Sequence, residues 1–306
     1  MAPLFGSRLT LNVRRESLAL LAGRPHRRRP HVGGAALVPL SPSLLAEGVP
    51  LRESEVATAL APVLRERGWT RLPVRLALSA GQVLTRVVAL PRVPRRAAHR
   101  ALLEEAEQLL PISLADYYVD YRPLARRPAA DGTESFLMAG VPKAQVEGWA
   151  AVLGDLGLTV ECVDVHPNCA VRLLRELRPR DAALVDAGPG GVHVTLVGDG
   201  LFFLHADHPG WPPGTEGTAA LGLTWETLRP HLEFFAARHF GRTVEAVFVT
   251  GELAARPGLC ARLERLAGVP VWTFSARGSW GWSARLPPGF DANPGAWAVN
   301  LALLLR

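Results

Sequence analysis

Residues 138 to 167, MAGVPKAQVEGWAAVLGDLGLTVECVDVHP, carry the strongest fold signal in the chain. Pro142 follows an apolar segment and stands where proline is favoured, in the first turn of a helix. Apolar residues then recur at helical spacing until Gly157, which is typical of the position just past a helix end. A second apolar segment, 160 to 165, predicts a strand, and Pro167 opens another helix. This strand–helix order is typical of an α/β fold.

The segments before this stretch continue the alternation of strands and helices. In chain order the sequence predicts strands 9–13 and 37–40, helix 53–67, strands 74–79 and 83–90 as a hairpin, a helix from Pro94 to the stop at Pro111, and strands 117–121 and 136–139 as a pair.

A second unit begins at Asp181 with three strands joined by tight turns. The predicted elements are strands 183–186, 192–197 and 201–205, a Pro- and Gly-rich loop at 205–224, a helix around 228–235, strand 247–250, helix 258–267, strand 269–274 and an apolar helix 296–305. That last helix is too short to cross a membrane and contains Asn300, so we predict that it packs on a sheet. The length of 306 residues favours two lobes over one core.

The composition excludes several classes of protein. Hydrophobic residues make up 48% and charged residues 20%, so the chain is not mostly disordered. No apolar run reaches membrane-spanning length and no secretory signal is visible, so we expect a cytosolic protein. The net charge of +6 rests on arginines spread along the chain, which does not favour nucleic acid as a partner. Only residues 24 to 31 form a basic cluster, interpreted as a solvated loop or a patch for acidic lipid.

No catalytic motif is found in the sequence. It contains no GxSxG, HExxH or GxxxxGK[ST] pattern, and its three cysteines form no CxxC pair. His205, Asp207 and His208 could ligate a metal, but they fall in the predicted loop without a distant third ligand, so no metal site is predicted. Trp280 and Trp282 are open to two interpretations, an exposed partner patch or a staple that holds a surface loop.

Four stretches in order resemble the family of the type IV pilus assembly protein PilM, which is related to the division protein FtsA. They are residues 104–121 (EEAEQLLPISLADYYVDY), 138–167, 181–200 and 247–271 (VFVTGELAARPGLCARLERLAGVPV). The resemblance implies an α/β, actin-like (ribonuclease H-like) ATPase fold of two lobes. It implies a first lobe over 1–180 with an inserted FtsA/PilM-type subdomain at about 91–165. It implies a second lobe over 181–306, whose usual helical subdomain is truncated here.

The resemblance also implies a nucleotide site, and this sequence departs from it. Members of the superfamily hold ATP and Mg²⁺ between two glycine-containing loops, whose N–H groups cradle phosphates. The strand that should carry the first loop, residues 9–16, lacks its Asp and its Gly. Glu252 stands where the family usually has a glycine. We therefore expect no cofactor and no hydrolysis, with a residual nucleotide site at Asp186, Gly188, Gly190, Gly191 and Gly251.

The function implied is a cytoplasmic scaffold, peripheral to the inner membrane, in a pilus, secretion or competence platform. Its partner would be the cytosolic N-terminal tail of a bitopic PilN-like protein; self-association and acidic lipid stay open. The residues predicted to bind the tail are Leu109, Leu110, Pro111, Tyr117, Tyr118 and Val119. The competing interpretation of Leu109 and Tyr117 is ordinary core. The alternative function is an active actin-like or sugar-kinase-like ATPase.

Overall fold

The computed structural model describes residues 6–15, 17–26, 30–78, 83–104, 106–124, 132–177, 179–188, 190–212, 214–215, 217–256, 258–274, 290 and 293–305. Trp280 and Trp282 lie outside the described residues.

The first lobe is built on a five-stranded sheet with helices on both faces. Its elements are β1 (Arg8–Val13), β2 (Ser17–Arg24), β3 (His31–Pro39), the short pair β4 (Leu45–Ala46) and β5 (Val49–Pro50), α1 (Glu53–Arg67) and β6 (Val74–Leu78). The chain then forms an insert of β7 (Leu84–Pro91), α2 (Arg95–Glu104), α3 (Ala106–Leu109), β8 (Tyr117–Pro123) and β9 (Thr133–Pro142). It returns with α4 (Lys143–Asp155), β10 (Val160–Val165) and α5 (His166–Leu177).

The second lobe repeats this plan with a second five-stranded sheet. Its elements are β11 (Ala182–Gly188), β12 (Gly191–Gly198), β13 (Leu201–His208), α6 (Gly217–Arg238), β14 (Ala246–Gly251), α7 (Leu259–Ala267), β15 (Val271–Thr273) and α8 (Ala298–Leu304). The sheet orders are β10-β6-β1-β2-β3 and β13-β12-β11-β14-β15, each an antiparallel meander extended by parallel strands.

Five layers arise because each sheet buries both of its faces. α1 and α4 cover the outer face of the first sheet, and the outer face of the second sheet packs on α6 and α7. α5 and α8 lie between the two sheets in the largest apolar cluster. α8 packs against β1, β2 and β6, so the C-terminal end of the described chain returns to the first lobe.

β2 shows why sequence patterns miss a fully buried strand. Leu18 and Leu20 face the α1–α4 side, while Ala19 and Leu21 face the interlobe layer. With both faces apolar, the segment lacks the alternation that indicates a strand, and the sequence analysis did not predict it.

The insert is a separate small unit with its own core. Its three strands pair in the order β7-β9-β8, and α2 and α3 cover one face. Strand pairing limits the insert to residues 84 to 142, because β10 belongs to the first sheet and α4 packs on α1. The resemblance described above implies an insert at about 91–165.

Two sequence predictions are wrong. β6 and β7 do not form a hairpin, since β6 pairs with β1 and β10 while β7 pairs with β9. The loop predicted at 205–224 is shorter, because β13 continues to His208 and α6 begins at Gly217. Its glycines and prolines suggested a loop, but the first turns of α6 bury Ala220 and Leu221 against the sheet. Tertiary packing overrides local propensity there.

Candidate functional site

A cleft between the lobes is lined by four of the five residues of the predicted nucleotide site, all but Gly251. It is a cavity of about 200 Å³. The first lobe contributes the β1–β2 turn and β3, and the second lobe contributes the hairpin between β11 and β12. The lining residues are Asn12, Arg14, Ser17, Leu37, Pro39, His166, Asp186, Ala187, Gly188, Gly190, Gly191, His193 and Glu252.

β11 and β12 form an antiparallel hairpin where the second phosphate loop is predicted. Gly188 pairs with Gly191, which closes the turn between β11 and β12. Gly251 lies beside it with φ +77°, and a Cβ at this position would stand 2.3 Å from Oδ1 of Asp186. Only glycine fits so close to Asp186. Gly251 therefore has a packing role that needs no ligand.

The carboxylate of Asp186 is hydrogen-bonded to another side chain. It is buried, and its Oδ2 accepts a hydrogen bond from Nε2 of His166 at 3.2 Å. Burial alone would raise the pKa of Asp186, but the His166 hydrogen bond and the charge of Arg14 outweigh it and lower the pKa to about 2. Burial also lowers the pKa of His166 to about 4, helped by repulsion from His193. At neutral pH this pair is therefore a carboxylate and a neutral imidazole.

The cleft matches a nucleotide poorly. Arg14, on the turn where the first phosphate loop is expected, donates its side-chain hydrogen bond to the carbonyl of Ala296. Glu252 packs against Gly188, so a carboxylate lies beside the phosphate hairpin and would repel phosphates. The cavity of about 200 Å³ is also smaller than the roughly 300–1,000 Å³ usual for ligand pockets.

A group of histidines next to the cleft was not predicted. His166, His193 and His205 come together from α5, β12 and β13, with one ligand atom of each within 4.8 Å of the others. The sequence predicts His205, Asp207 and His208 in a loop without a distant third ligand. His205 and Asp207 instead share one face of β13, and His193 lies directly opposite Asp207 on β12. Alternate positions on a strand share a face, so the spacing of His193 and Thr195, and of His205 and Asp207, could have indicated this grouping. The predicted strand 201–205 ends before Asp207, so the second pair is missed.

A second cavity, larger and mostly apolar, separates the insert from the first sheet. It has a volume of about 370 Å³, and we call it the insert groove. It is lined by Tyr118, Val119, Asp120, Tyr121, Arg122, Leu137, Ala139, Val141, Val146, Val163, Asp164, Val165 and Asn168. β8 and β10, which border it, are both edge strands of their sheets.

The free edge of β8 offers main-chain hydrogen-bonding groups to the insert groove. Leu124 N donates to Ser135 O, and Lys143 N donates to Asp116 O, so the even-numbered positions bond to β9. The register then directs the N–H and C=O of Val119 away from β9. Val119 consequently presents both groups at the edge.

Two polar side chains in the insert groove are incompletely satisfied. Nε and Nη2 of Arg122 and Oδ1 of Asn168 are buried without hydrogen-bond partners among the described residues. Burial, with repulsion from Arg175 and Arg172, lowers the pKa of Arg122 to about 10. Two buried guanidinium nitrogens without hydrogen-bond partners are energetically unfavourable, even with the Asp164 carboxylate near enough to attract the charge. A group in the groove that accepts hydrogen bonds would satisfy them.

The six residues predicted to bind a tail occupy two different environments. Tyr118 and Val119 line the insert groove, and Tyr118 is 47% exposed. Its hydroxyl donates to Oε1 of Glu147 at 2.9 Å. Leu110 lies in the core of the insert, Leu109 packs against that core, and Pro111 is exposed at the end of the helical segment. Tyr117 is half-buried and does not line the groove.

Two sheets of this topology, each an antiparallel meander extended by parallel strands and separated by α5 and α8, define an actin-like ATPase fold. The match extends to solved structures. A PilM–PilN type IV pilus biogenesis complex contains a chain with a TM-score of 0.77 and 20% identity, covering 97% of each chain. The ethanolamine utilization protein EutJ from Carboxydothermus hydrogenoformans gives 0.52 at 14% identity, covering all of this chain and 90% of its own.

A further similar structure is a Bacteroides thetaiotaomicron protein with an actin-like ATPase fold and unknown function. Its TM-score is 0.51 at 11% identity, and the match covers 98% of this chain and 95% of that one. The family model of the type IV pilus assembly protein PilM matches residues 20–199. The chain belongs to this family. No curated protein matches the sequence.

Among the described residues, none of the helices combines the length and the apolar character needed to cross a membrane.

Proposed function

We propose that this protein is a non-hydrolysing scaffold of a type IV pilus assembly platform at the cytoplasmic face of the inner membrane. Its partner is the cytosolic N-terminal tail of a PilN-like membrane protein, which binds in the insert groove. Membership of the PilM family supports the pilus role, and the similar structure of a PilM–PilN complex supports the choice of partner. The observation that carries the proposal is an apolar groove beside a free strand edge, with Arg122 unsatisfied inside it.

The edge of β8 sets how the tail binds. An extended tail adds to it as a further strand, which gains main-chain hydrogen bonds and places alternate side chains in the groove. β8 spans seven residues, and at ~3.3 Å per residue it accommodates a tail segment of about the same number of residues. Val141, Val163 and Val165 provide the apolar surface for every second side chain of the tail.

Arg122 and Asn168 add a polar requirement to this site. Arg122 can only donate and Oδ1 of Asn168 can only accept. A tail residue with both an acceptor and a donor, such as an asparagine, would satisfy the two together. The proposed tail is therefore apolar with one amide-like or acidic side chain near Arg122.

A proline in β8 tests the docking mode. Val119→Pro removes the N–H that faces the groove, and we expect binding of the tail to weaken about tenfold or more because a main-chain hydrogen bond is lost and the ring obstructs the edge. Calorimetric titration with the synthetic tail of the PilN-like partner measures the change.

Val87→Pro is the matched control because β7 is the opposite edge of the same small sheet. Arg92 N donates to Gly132 O, so the alternation turns the N–H of Val87 outward as well, and Val87 is 40% exposed. This variant should bind the tail as the parent does. Equal weakening in both variants, or in neither, would contradict docking on β8.

The cleft supports the non-hydrolysing part of the proposal. With Arg14 engaged by Ala296 and Glu252 beside the hairpin, the Mg²⁺-bound triphosphate lacks its two-loop clamp. We expect no phosphate release above background from Mg²⁺-ATP, in the parent or in Asp186→Ala. Turnover by the parent that disappears in Asp186→Ala would show an active ATPase and leave the docking proposal untouched.

A further inference from the structure

One surface of the insert carries arginines that no acidic side chain compensates. The sequence has no Asp or Glu between Glu66 and Glu104, whereas five arginines fall at positions 86 to 100. Apolar residues separate most of these arginines, so they do not form a run in the sequence. Arg92, Arg96 and Arg100 are exposed, and none of them forms an ion pair with a described residue. We call these three residues the basic face.

The fold turns the basic face toward solvent. Ala98 and Leu102 of α2 are buried in the core of the insert. Arg96 and Arg100 are four residues apart, so they lie on one side of the helix, and that side is opposite to Ala98. Arg92 directly follows β7 and precedes the helix. The basic face therefore covers the exposed side of α2 and the turn that leads into it.

The charges are arranged against the stability of α2. The N-terminal end of a helix carries a partial positive charge, so acidic residues stabilise the first turn and basic residues destabilise it. The first turn of α2 contains Arg95 and Arg96 and no acidic residue, and Glu104 is the last residue of the helix. Both signs are thus at the unfavourable end. Departures from local stability rules concentrate at functional sites, which favours a binding role for the positive charge.

The basic face adjoins the insert groove. Nδ1 of His99, on α2, is hydrogen-bonded to the hydroxyl of Tyr121 at 2.9 Å. Tyr121 belongs to β8 and lines the insert groove. In the proposed function the tail bound along β8 is part of a membrane protein, so it holds the insert close to the bilayer. The exposed side of α2 is then within reach of lipid headgroups.

We propose that the basic face binds the anionic phospholipid headgroups of the membrane from which the tail emerges. The choice of a lipid surface rests on the proposed function, because that function brings the insert to a bilayer. The guanidinium group of arginine matches phosphate through paired hydrogen bonds. The cytoplasmic leaflet also has a negative surface potential, which attracts basic segments.

The lipid contact is weak by itself and gains effect from the tail. Each arginine at an anionic surface strengthens binding about fivefold, so three arginines give roughly 100-fold. Binding of the tail makes the lipid contact intramolecular, which raises its effective concentration. The basic face would then orient the insert on the membrane and prolong the stay of the protein there.

Sedimentation with vesicles tests the proposal on the full chain without a tail peptide. At low salt the parent should bind vesicles of phosphatidylcholine mixed with phosphatidylglycerol, and should bind pure phosphatidylcholine vesicles far less. High salt should weaken the binding. Arg96→Gln combined with Arg100→Gln should lower the partition coefficient for the anionic vesicles about 25-fold. Urea unfolding should show this variant to be at least as stable as the parent, because a cation is removed from the first turn of α2.

Arg65→Gln combined with Arg67→Gln is the matched control. Both arginines are exposed on α1, which covers the outer face of the first sheet, and the change removes the same net charge. This control should bind the anionic vesicles as the parent does. Absence of binding by the parent, undiminished binding by the variant of α2, or an equal loss in the control would each overturn the proposal.

An acidic protein is the other class of partner that the basic face could attract. Binding to soluble polyglutamate that depends on Arg96 and Arg100, without binding to vesicles, would assign the face to such a protein and overturn the lipid proposal. The vesicle assay contains no tail, and the titration with the soluble tail contains no lipid. Each of the two proposals can therefore fail without the other.

Discussion

Arg122→Met should weaken binding of the partner tail and at the same time stabilise the free protein. Two of the three guanidinium nitrogens of Arg122 are buried in the insert groove without hydrogen-bond partners among the described residues. Hydrogen bonds from a charged donor contribute about 1.5–3 kcal/mol each, so losing them should weaken the tail complex by about 10- to 100-fold. Methionine keeps the length and the apolar stem of the side chain.

The gain in stability follows from the lowered pKa of Arg122. Burial lowers this pKa from 12.5 to about 10, and the charges of Arg175 and Arg172 add to the effect. The unfolded chain therefore binds the proton more tightly, and the penalty acts fully below pH 10 and fades as the pH rises toward 12.5. At pH 7 we expect Arg122→Met to raise the free energy of unfolding by about 1–2 kcal/mol.

Urea unfolding at pH 7 and titration with the tail together measure both effects. Arg100→Met is the matched control, since Arg100 is exposed on α2 and should change neither quantity. A variant at Arg122 that loses stability, or that binds the tail as the parent does, would contradict the role given to this residue.

Asn300→Asp should cause the largest loss of stability from a single change. Asn300 is fully buried on α8, and its Nδ2 donates to the carbonyls of Ala19 at 2.8 Å and Thr10 at 3.0 Å. Aspartate would place a carboxylate oxygen against two carbonyl oxygens. We expect the free energy of unfolding to fall by about 3–5 kcal/mol at pH 7.

The loss should also depend on pH. Burial raises the pKa of the new carboxyl group in the folded state, so the folded protein holds the proton more tightly and stability falls as pH rises from 4 to 7. Asn300→Leu removes the same two hydrogen bonds without introducing a charge, and its loss should be about 1–3 kcal/mol and independent of pH. Urea unfolding at both pH values distinguishes these outcomes, and an equal loss in both variants would contradict the argument.

Much of the fold follows from local signals in the sequence. Gly68 ends α1 with φ 68°, and its N–H bonds to the carbonyls of Leu64 and Arg65, as expected for a glycine C-cap. The alternation in Tyr117, Val119 and Tyr121 marks β8, which pairs with β9 as predicted. The meander of β11, β12 and β13 is likewise confirmed. β8 has partly exposed positions, and α1 and the meander strands end at glycines that mark a helix end or a turn.

The failures have a common physical origin in tertiary contacts. β2 is apolar on both faces, and β6 and β7 are neighbours in sequence but belong to different sheets. Local patterns report spacing and turns, whereas the choice of pairing partner depends on distant segments such as β1 and β10.

The candidate sites were predicted unevenly for the same reason. The loop residues Asp186 and Gly188 are recognisable because their spacing is local. The histidine cluster draws on positions in α5, β12 and β13, and only the sheet register brings His193 and His205 to one face. The insert groove depends on how β8 lies against β10, which no local pattern contains.

The most direct test of the account is amide hydrogen exchange at Val119 with and without the tail of the PilN-like partner. Because the N–H of Val119 faces the free edge of β8, saturation with the tail should slow its exchange by about tenfold or more, while Val87 on the opposite edge serves as the internal reference and stays unchanged. Unchanged exchange at Val119 while the tail is bound, with protection elsewhere on the protein, would contradict docking in the insert groove.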